Sequence, residues 1–191
     1  MDFIRNGIKA ARRFVTAMAI VSTDIEYRLS GGAANTDKNA SLGGAMSTAA
    51  GGVITPGAAN NVWDDVSGAE AAAGDTEYRC IYIKNNHASL TLQNAVVWID
   101  SLTSSASTEF DIALDPAAVG ATASATSADE NTAPTGGTVT FSRPTTKGTG
   151  LSIGDIPAQS KKAIWLRRTV TAGASAASDT GSIRVEGDTA P

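Results

Sequence analysis

The chain has 191 residues and a mass of 19.4 kDa, enough for one domain, or for one domain plus an arm. Ala, Thr, Ser and Gly account for 93 of the residues and aromatic residues for only 5%, so the core must be thin, and Thr abundance favours strands over helices. A single Cys and a single His exclude an internal disulfide and any Cys₄ or Cys₂His₂ zinc site within one chain, and no run of about 18 apolar residues offers a membrane span.

The net charge of −4 is unevenly divided. Residues 1–20 carry Arg5, Lys9, Arg12 and Arg13 against Asp2, whereas the remainder is acidic. Helical spacing puts Phe3, Ile4, Gly7, Ile8, Ala11 and Val15 near one face of a segment over 2–15, with Arg5, Lys9 and Arg12 on another. Such a short basic amphipathic helix is marginal alone in water and needs a surface to lie on. Ala17-Met18-Ala19 looks like a signal-cleavage site, but only Phe14, Val15 and Thr16 separate it from Arg13, too few for the apolar stretch of a signal.

Residues 25–29 alternate as a half-buried strand. Residues 30–61 follow as a long Gly/Ala-rich loop, which at this length is either functional or ordered by a partner. The body begins near Asn61. Residues 77–84 form a strong strand, with Tyr78, Cys80 and Tyr82 facing one way and Arg79, Ile81 and Ile83 the other. Further strands are predicted around Leu90–Ile99, Phe110–Leu114, Val139–Phe141, 151–156, 163–170 and Ile183–Glu186, with 115–136 as a low-complexity exposed loop. Seven or eight short strands without long amphipathic helices between them predict an all-β fold, an antiparallel β-sandwich of immunoglobulin-like or jelly-roll-like type, preceded by the N-terminal helical arm. The expected division is arm 1–20, strand and loop 21–60, and sandwich 61–191.

Candidate chemistry is sparse. Cys80 sits within a strand and His87 in the turn beyond it, about 20 Å apart if the chain stays extended, which is too far for a nucleophile–base pair. Asp64-Asp65, Asp75 and Glu77 read as turn and solvent-facing carboxylates. Asn35, Asp37, Asn39 and Ser41 place oxygens at alternate positions as in the first half of a calcium loop, but Ala40 and Met46 occupy the places of the turning Gly and closing Glu. The segment then reads as a polar loop closed by Asx turns, and no metal is expected. Gly148-Thr149-Gly150 lacks the Lys and helix of a phosphate loop. Lys161-Lys162 and Arg167-Arg168 read as a solvated strand end or a protein-binding ion-pair patch. The composition therefore predicts a structural part of an assembly, with no enzyme activity and no cofactor.

Three stretches carry a resemblance. They are Asp24–Gly32 continuing through Asn35-Thr36-Asp37 to Gly44, then Val62–Ser67 followed by Glu70–Cys80, and finally Ile156–Trp165. Together they resemble virion structural proteins of tailed bacteriophages over residues 22–191, most specifically over 24–44 and 61–86, and residues 1–17 depart from that pattern. The resemblance implies a non-enzymatic component present in many copies in the virion and assembled in the host cytoplasm. A capsid cement or decoration protein is the first expectation, a tail or head–tail connector component the second, and a receptor- or carbohydrate-binding surface module the third. The partners implied are the major capsid protein and neighbouring copies of the chain, including a trimer, with neither nucleic acid nor membrane. The expected partner interface comprises Phe3, Ile4 and Ile8, the cations Arg5, Lys9 and Arg12, and the loop residues Asn35, Asp37 and Asn39.

Overall fold

The computed structural model describes residues 19–174 and 179–189. Seven strands form: β1 (Ile25–Leu29), β2 (Asp75–Asn85), β3 (Leu92–Ser101), β4 (Thr108–Leu114), β5 (Leu151–Ile156), β6 (Lys161–Val170) and β7 (Ser182–Thr189). They build two antiparallel sheets, one ordered β1-β2-β6-β4 and the other β5-β3-β7. The all-β, two-sheet architecture is as the sequence predicts. The arm predicted over 2–15 lies outside the described residues.

Alternation explains the main core. In β2, Ile81 and Ile83 point between the sheets, as do Ile164 and Leu166 of β6 and Ile112 of β4. They meet Leu92, Val97 and Ile99 of β3, with Ile156 closing one end. Tyr27 of β1 reaches the other sheet at Val185, and burial pushes its phenol up to about 12.

The opposite face of β2 and β6 is also apolar. Cys80, Tyr82, Ala113, Ala163 and Trp165 are all buried there. Water would penalise this exposed surface, so something must cover it, and the cover is the segment predicted to be an exposed loop. Residues 115–136 fold back over the sheet and bury Ala123 and Ala125 against Trp165. Nor do Val139 and Phe141 form a strand. They pack on the same cluster, and only Ser142 bridges to Ile112 of β4. The composition misled because Ala, Ser and Thr are what a thin layer laid flat on a sheet requires.

Asp115 fixes this layer. Its carboxylate accepts hydrogen bonds from the backbone N–H groups of Ala117, Ser124 and Ala125, from the Ser124 hydroxyl and from Trp165 Nε1. Lys162 Nζ donates to the carbonyls of Asp115 (2.7 Å) and Ala117. Burial works against the Asp115 charge, but these donors outweigh it and hold the carboxyl below its ordinary 3.8. Burial, opposed by Asp115, lowers the Lys162 ammonium.

The 30–61 segment is ordered by its own chain. Gly31 N–H donates to Gly43 O, Ser47 N–H to Leu29 O and Ile54 N–H to Tyr27 O, which also covers the free edge of β1. Beyond the last β1 pairing at Ile81, Cys80 N–H turns to Ser41 O and Tyr78 N–H to Glu130 O. The two covering segments then meet. Gly43 bridges Thr126, and at φ +103° a Cβ there would lie 2.5 Å from Ala125 O, so the approach needs glycine. The Tyr82 hydroxyl donates to Gly44 O (2.5 Å) and accepts from Ala123 N–H (2.7 Å), joining both segments through one atom.

A short helix, α1 (Gly68–Ala73), was not predicted. Its signal is Ser67-x-x-Glu70, where each side chain caps the other's backbone N–H.

Asp115→Ala leaves Trp165 Nε1 and the Ala125 N–H buried without acceptors, and is expected to cost about 3 kcal/mol or more in urea unfolding. Because the native carboxyl titrates below 3.8, Asp115 stabilises above that pH, and its contribution fades as acid protonates the folded form. A wild-type-minus-variant difference that does not shrink on acidification below pH 3.8 overturns this assignment.

Candidate functional site

At one end of the sandwich the sequence places charges where the alternation demands burial. Glu77 and Arg79 share the inward face of β2 with Ile81 and Ile83, and Arg168 shares that of β6 with Leu166. The sequence reading makes Glu77 solvent-facing and Arg168 part of a solvated end, but Glu77 is 1% exposed, Arg79 0% and Arg168 7%. Such burial is tolerable only with partners. Arg168 pairs with Glu77 through both Nε and Nη2, and its Nη1 donates to Asp64 O at 2.7 Å. Arg79 Nη2 reaches Glu130 Oε2 at 2.5 Å, Asn39 Oδ1 at 3.1 Å and Glu77 Oε1 at 3.7 Å. Both guanidiniums pack on the Trp63 ring, 5.2 Å (Arg79) and 5.1 Å (Arg168) from its centroid.

Carboxylate oxygens of Asp64, Glu77 and Glu130 all lie within 4.8 Å of one another. Metal ligation is the first chemistry this suggests, but the positions among them are taken by the protein's own cations. Arg168 bridges Glu77 to Asp64, and Arg79 bridges Glu77 to Glu130. Three carboxylates against two guanidiniums leave one excess negative charge, and Glu77 Oε1 accepts no hydrogen bond among the described residues. Burial raises the Glu77 carboxyl above its ordinary 4.5, with Arg168 and Arg79 opposing the rise. The node fastens three parts of the chain: the 60s segment through Trp63 and Asp64, the first loop through Asn39 and the second through Glu130.

The remaining predicted residues sit apart from this node. Phe3, Ile4, Ile8, Arg5, Lys9 and Arg12 lie outside the described residues. Asn35 and Asp37 close successive Asx turns, accepting from the N–H groups of Asp37 and Asn39 at 2.9 Å each. Asn35 Nδ2 also donates to Ser30 O. These oxygens point into local backbone bonds rather than converging on one centre. Asp37 does line an open polar cleft of about 340 Å³ with Thr36, Lys38, Thr55, Asn60 and Asn61. Cys80 is fully buried, and desolvation pushes its thiol well above the usual range. His87 Nδ1 instead accepts from the N–H groups of Ser89 and Leu90, capping the turn after β2. Lys162 is buried at the Asp115 anchor, and Arg167 pairs with Asp111 at 2.7 Å while stacking on Phe141. The basic cluster is therefore largely consumed within the fold.

Trp63, Arg79, Asp115 and Glu130 were not singled out from the sequence. The available signal was Arg79 itself: a charge in phase with Ile81 and Ile83 requires an inward carboxylate, and Glu77 is on the same face.

No family model, curated protein or solved structure matches the chain. Among the described residues no helix is long and apolar enough to cross a membrane.

A raised folded-state pKa means that native Glu77 binds its proton more tightly than the unfolded chain does. Its contribution is therefore greatest below pH 4.5 and is lost as pH rises through the folded value. Wild-type stability, measured relative to Glu77→Gln by urea unfolding, is expected to rise as pH is lowered from neutrality towards 4.5. The opposite slope overturns the excess-charge account.

Proposed function

We propose that this chain is a non-enzymatic structural component of a tailed-phage virion, a capsid cement or decoration protein that clamps neighbouring capsid subunits. The reading starts from the resemblance carried by residues 24–44, 61–86 and 156–165. The observation that carries it further is how the fold uses its two long small-residue segments. They plate one sheet and are pinned there by Asp115, Tyr82 and Arg79, which makes a rigid block with a cover of its own. Such a block suits a part that transmits force between subunits. The antiparallel two-sheet sandwich supplies the platform.

The basic amphipathic arm supplies the grip. Phe3, Ile4 and Ile8 enter a groove on the major capsid protein in helix-in-groove fashion. Each large apolar side chain buried contributes roughly 1.5–3 kcal/mol before ordering costs, and repetition over a symmetric lattice multiplies weak single contacts. A carbohydrate-binding role would use exposed aromatic platforms. Here Trp98 and Trp165 are buried and Trp63 is occupied by two guanidiniums, which favours the structural role.

Deleting residues 1–17 is expected to lower occupancy on purified particles, with affinity falling about tenfold or more. Unchanged occupancy removes the arm from the mechanism. Particle maps with and without the chain then locate it: density across capsomer joints supports the clamp, and density on the tail or portal overturns it.

A further inference from the structure

The outer strands of a sheet carry backbone groups that pair with nothing unless the chain covers them. The larger sheet is covered at both edges: Val53 and Ile54 lie along β1, and Ser142 exchanges both backbone bonds with Ile112 of β4. The smaller sheet ends on β5 and β7, and among the described residues no backbone group outside β3 bonds to either strand. These two edges differ. β5 has six residues and is broken by a register shift at Gly154, whose φ is +83°, so its edge is bent out of use. β7 has eight residues, and no residue of it has a positive φ.

The pairing of β3 shows which groups of β7 face outward. Ile99 N–H donates to Pro144 O, on the side of β3 where Val97 meets Leu151 of β5. Val97 and Ile99 therefore turn their backbone groups away from β7, and their opposites there, Val185 and Ile183, are non-hydrogen-bonded pairs. Ile183, Val185 and, by alternation, Gly187 thus direct N–H and C=O to the open side. The Tyr27 phenol stands at the Val185 N–H. The side chains of Ile183 and Val185 are half-buried at the rim of the core, while Arg184 is 55% and Glu186 43% exposed on the other face. A strand laid antiparallel on this edge must set its own outward residues against these. For β7 against itself, centring on Arg184 opposes arginine to arginine, and centring on Glu186 opposes glutamate to glutamate. Centring on Val185 sets Arg184 opposite Glu186 of the second copy, twice, at a Cα separation of about 4.5 Å. On the core face the same register sets Val185 against Val185 and Ile183 against Gly187, where the missing side chain leaves room.

We propose that β7 pairs antiparallel with β7 of a second copy of this chain, about a two-fold axis at Val185, joining two three-stranded sheets into one of six strands. Charge complementarity selects the occupant and the register together, and β5, with Asp155 as its one charge, offers β7 no such match. Within one copy Arg184 lies 3.3 Å from Asp100 and 3.6 Å from Glu186, exposed contacts that hold it weakly and leave it able to reach across. The contact is isologous and closes at two copies. It goes beyond the capsid reading and does not depend on it.

The test uses the full-length protein. Sedimentation equilibrium between about 10 μM and 1 mM should show a monomer–dimer equilibrium. Amide exchange read by NMR over the same range should slow about tenfold or more at Ile183 and Gly187 as dimer forms, while Arg184 and Glu186, already bonded to β3, change far less. Arg184→Glu should sediment as a monomer, because it sets glutamate against Glu186, and Glu186→Arg should do the same with two arginines. Both changes in one chain recreate the opposite-charge pairs and should restore the dimer. Mixing the two single variants should restore it as well, which also shows that each is folded. A wild type that stays monomeric throughout, a single variant that dimerises like wild type, a mixture that does not associate, or protection that grows elsewhere and not at Ile183 and Gly187 overturns the proposal. Particle occupancy tests the capsid role separately. A chain that decorates particles while monomeric overturns only the strand pairing, and one that dimerises but is absent from particles overturns only the capsid role.

Discussion

The two central strands of the larger sheet are apolar on both faces, and most of the structure answers that constraint. On one face β2 and β6 meet the second sheet through ordinary aliphatic packing. On the other, Cys80, Tyr82 and Trp165 would face water, and the described residues form no third sheet to cover them. It offers a layer of backbone instead. A layer of Ala, Ser and Thr buries little apolar area per residue, so contact alone would not hold it. Side-chain anchors rising from the sheet supply what is missing. Asp115, Tyr82 and Lys162 each present a polar atom to main-chain groups of the cover, so covering the sheet and satisfying the cover's backbone become one arrangement.

The same logic operates at the sandwich end. Glu77, Arg79 and Arg168 occupy positions where the strand period calls for aliphatic residues. Replacing such a set by hydrophobic side chains is often neutral or favourable for stability. What the charged set does here is tie separate parts of the chain to a single point. One guanidinium holds both Asn39 and Glu130, and the other holds the Asp64 carbonyl beneath the Trp63 ring. An aliphatic end would close the core but would not fix where these segments lie.

The strands were legible because period-two alternation is a local signal, clear in Tyr78–Ile83 and again in Phe110–Leu114. The buried charges were legible in part: the alternation put Arg79 on one face with Ile81 and Ile83, but its partners come from Asn39 and Glu130, 40 and 51 residues away in sequence. The 115–136 layer was not legible, since its composition is that of an exposed loop and only the Trp165 and Asp115 beneath it make it a cover. Lys162 was misread for the same reason, as its carbonyl partners lie 45 and 47 residues away. Helix α1 is a different case, for Ser67 and Glu70 stand at capping-box spacing and the signal was present in four residues.

Asp115 grips the covering layer by its main-chain N–H groups, so most side chains there carry no anchoring duty. Ala133 is exposed on the outside of that layer, between the tie of Glu130 to Arg79 and the Thr126–Thr135 bridge. Such a position can accept foreign sequence without loosening either fastening. It is a natural place for a lineage to diversify what the molecule shows to the outside, and a rational one at which to graft a displayed peptide.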